Sequence, residues 1–194
     1  MKIKTKQKNR GFTLVELLVV IAIIAVLSAM ATPAIMGALK KAKIVKSNGV
    51  CTSFEMAVNN FESEYNYLPF GGATAPSADD ESIRSDDKIV AVLAGREDDL
   101  NFKEIRFFEL NKPKGKSAGN YKDGLRIEGA NAELYDPWGE TYYISIDYDL
   151  DGELTDPYGG TDKITGKKCL IYSNGADKEK GSTAKNRDNA SNFK

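Results

Sequence analysis

The chain has 194 residues, with 27 Lys+Arg against 28 Asp+Glu, a net formal charge of −1, and no histidine. The lack of histidine excludes Ser-His and Cys-His nucleophilic sites and zinc sites built on histidine. Hydrophobic residues make up 41% of the chain and are concentrated near the N-terminus, so the polar remainder is expected to form about one domain with a small core.

The first predicted element is an apolar run over residues 12–39 that contains one charged residue, Glu16. A helix rises ~1.5 Å per residue, so a run of this length reaches ~42 Å. A bilayer core needs roughly 20 apolar residues, and the run is therefore long enough to span one. A carboxylate inside a spanning segment is costly and by default indicates a function and a partner.

Five basic residues precede this run, with no acidic residue among them. The positive-inside tendency places such an N-terminus in the cytoplasm and the rest of the chain outside, although four lysines follow the run between residues 40 and 46. Without residues 1–11 the chain has 22 Lys+Arg against 28 Asp+Glu, a net formal charge of −6. This acidic balance, without a dense basic patch, argues against nucleic acid as a partner.

The N-terminal segment fits three interpretations. It can be an uncleaved membrane anchor, or a secretory signal cut after the small-x-small triplet Ala29-Met30-Ala31. Glu16 inside the apolar segment and a helical pattern that continues past Ala31 argue against a secretory signal. The third interpretation is a leader that is cut before the apolar run rather than after it.

The third interpretation rests on the residues that join the basic leader to the apolar run, which read Gly11-Phe12-Thr13-Leu14-Val15-Glu16. This junction resembles the class III signal of type IV pilins and of type II secretion pseudopilins. The resemblance implies that prepilin peptidase cleaves between Gly11 and Phe12 and that the new Phe12 amine is methylated. It also implies that Glu16 contacts the N-terminal amine of a neighbouring subunit. Such pairing relieves the desolvation cost of a lipid-embedded ammonium and a lipid-embedded carboxylate.

Pro33 lies inside the helical run, where it removes a backbone donor and clashes with the preceding turn. A kink or a locally melted turn is therefore predicted near residues 29–33. Pilin-like helices commonly carry a proline at this point, and the resemblance implies a part for Pro33 in assembly. The alternative is a membrane helix that tolerates a proline.

Beyond Leu39 the helix is predicted to continue as an amphipathic one, with Gly49 as a weak point, and to end at Leu68-Pro69 because the residue before proline disfavours the α conformation. Its apolar residues are spaced three and four apart on one face, which we expect a sheet to cover. They are Cys51, Phe54, Val58, Phe61, Tyr65 and Leu68.

The remaining predicted elements are short. Residues 140–147 and 168–173 alternate apolar and polar side chains and make the best hairpin partners. A short helix over 86–94 is expected to stop at Gly95. The other predicted segments are loops at 71–88 and 111–124, strands at 102–110 and 125–128, and an acidic connector at 147–166.

Asp147-Tyr148-Asp149-Leu150-Asp151-Gly152 has oxygen ligands and a glycine at positions 1, 3, 5 and 6 of an EF-hand calcium loop. Position 12, where a bidentate carboxylate belongs, is Tyr158. The alternative is a polar turn between strands, because aspartate side chains stabilise turns without any metal.

Two C-terminal segments, 136–143 beginning Asp-Pro-Trp-Gly and 172–177 reading Tyr-Ser-Asn-Gly-Ala-Asp, are similar to the major pseudopilin of type II secretion. In that family the second segment opens a calcium-binding loop, and the resemblance implies that Asp177 and Asp188 would be its carboxylate ligands. Lys178 stands where glycine is usual, and Phe193 where tryptophan is usual. The loop is also rich in lysine, and such charges weaken the case for a hard cation.

The two cysteines, Cys51 and Cys169, would enter an oxidising compartment if the domain is exported. Cys51 falls on the apolar helix face and Cys169 in a predicted strand, so they can meet in the core. A bridge closing so long a loop would contribute ~4–5 kcal/mol in the chain-entropy model. The alternative is two small buried side chains.

The predicted fold is α+β: a long N-terminal helix packed by a small antiparallel sheet, as in pilins. The predicted regions are a leader at 1–11, a transmembrane and assembly helix at 12–39, its amphipathic half at 40–68, and a periplasmic domain at 69–194. The resemblance covers the N-terminal third densely and the last third through two motifs.

The predicted function is structural rather than enzymatic: a type II secretion pseudopilus subunit held in the inner membrane by a single span before it enters a filament. The implied partners are other copies of the chain and related pilin-like subunits, prepilin peptidase, the inner membrane and the secretion assembly platform, with calcium as a candidate cofactor. The alternatives are a type IV pilin of a surface fibre and a membrane-tethered calcium-binding module.

Overall fold

The computed structural model describes residues 11–70, 83–85, 88–96, 99–117, 119–159, 163–180 and 188–193. The chain divides into two compact units, Met1–Ala42 and Lys43–Lys194, and the first helix belongs to both. The elements in chain order are α1 (Leu14–Tyr65), β1 (Ile83–Arg84), α2 (Lys88–Leu93), β2 (Gly124–Glu128), β3 (Asn131–Tyr135), β4 (Tyr143–Ile146), β5 (Glu153–Thr155), β6 (Lys163–Thr165), β7 (Cys169–Ser173) and β8 (Ala190–Ser191).

In the first unit, α1 begins at Leu14 and carries its apolar side chains exposed. The helix runs without interruption across Pro33, so the predicted melted turn near residues 29–33 is wrong, while the alternative prediction of a kink stays open. Directly before the proline, the Thr32 hydroxyl donates to the Ser28 carbonyl at 2.7 Å, one turn back along the helix.

In the second unit, α1 ends at Tyr65, three residues before the predicted end. Asn66 adopts the left-handed conformation, with φ +61°, and its N–H donates to the Glu62 carbonyl at 2.7 Å. Asparagine tolerates this conformation and caps helices in it, so Asn66 rather than Pro69 terminates the element. The helix also passes through Gly49 without a break.

The predicted apolar face of this half of α1 is confirmed as core. All six predicted residues, including Leu68 beyond the end of the helix, are buried in one hydrophobic cluster with α2 and the inner residues of β4 and β7. Phe54 packs edge-on against Phe108, with ring centroids 5.2 Å apart. The architecture is α+β, a long helix covered by small antiparallel sheets, as predicted.

The main sheet has four antiparallel strands in the order β1-β4-β7-β8. Its centre is the predicted pair of strands, β4 and β7, in a register that places Tyr143 opposite Tyr172 and Ile146 opposite Cys169. The predicted strand at 125–128 is also present, as β2, and it pairs with β3. The strands β1, β3, β5, β6 and β8 were not predicted from the sequence, and β5 pairs with β6 inside the predicted acidic connector.

The predicted strand at 102–110 is wrong, since these residues form neither helix nor strand. The amides of Phe107 and Phe108 both donate to the Leu93 carbonyl, which wraps the segment around the end of α2. The predicted stop at Gly95 is confirmed: its φ is +67°, and a Cβ there would lie 2.9 Å from the Glu104 carbonyl oxygen. Asp86 and Asp87, the expected start of this helix, lie outside the described residues.

Candidate functional site

The N-terminal helix is long and apolar enough, by length and composition, to cross a membrane. From Gly11 through Ala42 every described side chain is exposed in the isolated chain. A surface of this extent and apolarity is unusual for a protein in water and indicates a membrane or protein partner.

The predicted processing residues, Gly11 and Phe12, lie before the first helical residue, Leu14. Phe12 is 73% exposed, and a Cβ built on Gly11 would meet no atom within 4 Å. Among the described residues, from Gly11 onward, nothing covers the peptide bond between them.

Glu16 closes a capping box at the start of α1. Its carboxylate accepts the Thr13 N–H at 2.8 Å and the Thr13 hydroxyl at 2.7 Å, while the Thr13 hydroxyl oxygen accepts the Glu16 N–H at 3.2 Å. Threonine at the N-cap with glutamate three residues later is the sequence signature of this motif. This role was not predicted from the sequence, although Thr13 and Glu16 have the three-residue spacing of a capping box.

The loop between β4 and β5 brings the three predicted aspartates Asp147, Asp149 and Asp151 together. One carboxylate oxygen from each lies within 4.8 Å of the others. Asp147 is buried, and the other two are exposed. Tyr158, at the twelfth position, is turned elsewhere: its ring packs edge-on against Tyr172 with centroids 5.4 Å apart.

Hydrogen bonds fold this loop back on itself. Asp147 Oδ2 accepts the Gly152 N–H at 3.0 Å, and Asp149 Oδ1 accepts the Asp151 N–H at 3.1 Å. Burial raises the pKa of the Asp147 carboxyl, and the neighbouring Asp149 side chain raises it further against the opposing effect of the Gly152 N–H. Leu150 takes a left-handed conformation at the tip, with φ +61°.

The two C-terminal motifs meet at Asp136, a contact that the sequence did not predict. Asp136 Oδ1 accepts the N–H groups of residues 138, 139 and 140 at 2.7–2.9 Å. Its Oδ2 accepts the Ser173 hydroxyl at 2.5 Å, and the Ser173 oxygen accepts the Gly175 N–H at 3.1 Å. Burial raises the pKa of the Asp136 carboxyl in spite of these donors.

The other predicted calcium ligands, Asp177 and Asp188, differ in their surroundings. Asp188 is buried, and its Oδ2 accepts the Ala176 N–H at 2.9 Å, whereas Asp177 is exposed and accepts the Glu179 N–H at 3.0 Å. Lys178 reaches away to Glu140, with Nζ 2.7 Å from the carboxylate. Residues 181–187, with Lys185 and Arg187, lie outside the described residues, and calcium binding here stays a prediction.

Cys51 and Cys169 are both buried as free thiols. Burial raises the pKa of each thiol, and for Cys51 the nearby Cys169 raises it further. The disulfide stays a prediction.

Comparison with known proteins bears on the N-terminal segment above all. Residues 6–32 match the family described as the prokaryotic N-terminal methylation motif. The chain is also 31% identical over 90 residues to fimbrial protein EcpC of Eikenella corrodens, a match that covers 46% of this chain and 59% of that protein. No solved structure matches the chain significantly. The motif and the fimbrial match together support a prepilin-type, pilin-like chain.

Proposed function

We propose that this chain is made as a prepilin and acts as a structural subunit of a type II secretion pseudopilus. The observation that carries the proposal is the exposed apolar helix at residues 14–42, which has a single carboxylate, Glu16, close behind the Gly11–Phe12 junction. The methylation motif, which covers the same segment, supports it. The helix also fits membrane anchoring of a protein of this kind.

The apolar helix has two suitable environments. Before assembly it would lie in the inner membrane with the second unit in the periplasm, where lipid covers its side chains. In a filament it would pack against the same helices of other copies and of related pilin-like subunits. Prepilin peptidase would first process the chain, and the secretion assembly platform would then add it to the filament. In both settings the exposed surface is buried without any new fold, and Pro33 would adjust the path of the helix between them.

The Glu16 carboxylate would supply the polar part of assembly. In the isolated chain it accepts two hydrogen bonds from Thr13. A carboxylate has capacity for about four such bonds, so it can accept the N-terminal amine of a neighbouring copy while the helix stays capped. Pairing the two groups removes the penalty of leaving either charge alone in an apolar setting.

The choice of a pseudopilus over a surface fibre depends on the C-terminal motifs, which resemble the major pseudopilin and which are joined through Asp136 and Ser173. We also propose, from that resemblance, that Asp177 and Asp188 bind calcium. The match to a fimbrial protein supports the second candidate, a type IV pilin. A membrane-tethered calcium-binding module is the third, and it predicts that removing the Glu16 carboxylate leaves function intact.

Intact mass after co-expression with prepilin peptidase tests the proposal. We expect the chain to lose residues 1–11 and to gain one methyl group. A Gly11→Val variant should stay uncleaved, whereas the matched variant Gly37→Val should be processed, because a Cβ at either glycine meets no atom within 4 Å. Cleavage after Ala31 would overturn the filament proposal.

A further inference from the structure

The loop between β4 and β5 contains a buried carboxylate oxygen without a partner. Asp147 is only 2% exposed. Its Oδ2 accepts the Gly152 N–H at 3.0 Å, but its Oδ1 is buried and accepts no hydrogen bond. Because water has been removed from this oxygen and no donor replaces it, the folded chain carries an uncompensated desolvation cost there.

Two further carboxylates add negative charge beside the Asp147 carboxylate. One carboxylate oxygen from each of Asp147, Asp149 and Asp151 lies within 4.8 Å of the other two. Lys163 lies at the rim, 3.9 Å from Asp151 and closer, at 2.9 Å, to Glu153. In the described part of the chain no lysine or arginine pairs with Asp147, so its charge is left uncompensated inside the cluster.

We propose that Asp147, Asp149 and Asp151 form a calcium site. Calcium takes six to eight oxygen ligands, and three carboxylates at alternate positions followed by Gly152 match the first half of an EF-hand loop. The seventh position of that pattern uses a main-chain carbonyl, which here belongs to Glu153 at the start of β5. The cation would give Asp147 Oδ1 the partner that it lacks, and this role is independent of filament assembly.

The second half of this loop lacks the closing carboxylate of an EF-hand, and this determines the affinity that we expect. An EF-hand closes with a bidentate carboxylate at position 12, but here that residue is Tyr158, whose ring packs against Tyr172 and Phe193. Water would have to complete the coordination shell. We therefore expect a Kd of about 10⁻⁴–10⁻³ M, the range of extracellular calcium modules.

Thermal unfolding of the full chain in detergent tests the site. We compare a chelator with about 10 mM CaCl₂, and with MgCl₂ at the same concentration as a control for valence and ionic strength. At such an excess over Kd, calcium should raise the Tm by roughly 3–10 °C. No rise with calcium would overturn the proposal, and an equal rise with magnesium would overturn the choice of calcium.

Two sets of variants locate the site, both made in an Asp177→Asn background that removes the other proposed calcium site. In this background, Asp149→Asn combined with Asp151→Asn should abolish the calcium shift. Asp99→Asn is the control: it is also an exposed aspartate, but it lies outside both acidic loops, and its variant should keep the shift. Retention of the shift in the variant with Asp149 and Asp151 replaced, or its loss in Asp99→Asn, would overturn the assignment.

Substitution of the buried residue, Asp147, distinguishes a calcium ligand from a residue that only stabilises the turn. Asp147→Asn keeps an oxygen for the Gly152 N–H but removes the charge that is crowded by its neighbours. We expect its Tm to equal or exceed that of the wild type in chelator and to fall below it in calcium. A fall of the same size in both conditions would assign Asp147 to the turn alone and overturn the proposal.

Discussion

At the scale of the single residue, Glu16 has one role in the structure and a second one in the proposed assembly. As the last member of a capping box it accepts hydrogen bonds from Thr13. As a carboxylate in an apolar helix it would pair with a positive group of a neighbouring copy. Glutamine can take the first role because capping boxes accept either residue, but it carries no charge. The two roles can therefore be separated by choosing the substitution.

We expect Glu16→Gln and Glu16→Ala to insert into the membrane and to be cleaved normally, yet both to reduce assembled filament to background. The reason is that neither side chain can pair with a neighbour's ammonium group. The measurement is the amount of subunit in sheared filaments compared with the amount in membranes. If Glu16→Gln assembled like the wild type while Glu16→Ala failed, helix capping alone would explain the residue.

Asp136 shows which residue-scale features the sequence could and could not reveal. The structure has a turn at Asp-Pro-Trp-Gly in which the aspartate accepts main-chain N–H groups. This is a common role of aspartate in turns, but it was not predicted from the sequence. The bond from Ser173 joins residues that are 37 positions apart. Nothing local in the sequence specifies such a contact, because it depends on how β4 and β7 bring their ends together.

At the scale of the element, the second half of α1 is the platform of the domain, and its buried face should dominate stability. Phe61 is fully buried and packs against Tyr65 and Phe107. We expect Phe61→Ala to reduce the free energy of unfolding by about 3–5 kcal/mol, through lost burial and a residual cavity.

The matched control is Met56→Ala on the same helix, where the side chain is 59% exposed. Its effect should stay within about 0.5 kcal/mol, as for most surface changes. Chemical denaturation of the full chain in detergent compares the two variants with the wild type. Equal losses would mean that the helix is not stabilised through this face.

The elements that the sequence predicted best are those with a long or regular pattern. The spacing of three and four residues identified the core face of α1, and alternation identified β4 and β7, because each pattern follows directly from backbone geometry. The end of α1 was misplaced because the proline at position 69 is the more visible signal, although the left-handed Asn66 acts three residues earlier.

The prediction of a strand at 102–110 is wrong because the apolar residues of this segment do not lie on one face of a sheet. Phe102 is 65% exposed, while Phe108 is buried against Phe54. The side chain of Asn101 organises the turn, donating to the carbonyls of Val92 and Ile105. An apolar run of this length has the same composition whether it forms a strand or wraps a short helix. Tertiary contacts therefore decide which of the two structures it adopts.

At the scale of the whole molecule, charge pairs join the second half of α1 to the sheet. Lys167 pairs with Glu55 and Lys168 with Glu62, at 2.8 and 2.6 Å. Each glutamate lies on the helix away from its predicted apolar face. These half-exposed pairs add little stability individually; their effect is to fix which residues of the helix face the β6–β7 turn.

The last prediction separates the secretion pseudopilus from the surface fibre at this same scale. Deleting the gene in the source organism should block release of exoproteins into the medium and leave surface fibres unchanged, because a pseudopilus subunit acts within the periplasm. Wild-type chain should restore secretion, whereas Glu16→Ala should not, since it cannot build the filament. Secreted activity and surface fibres are measured in the same cultures. Loss of fibres with normal secretion would favour the type IV pilin, and rescue by Glu16→Ala would contradict both filament functions.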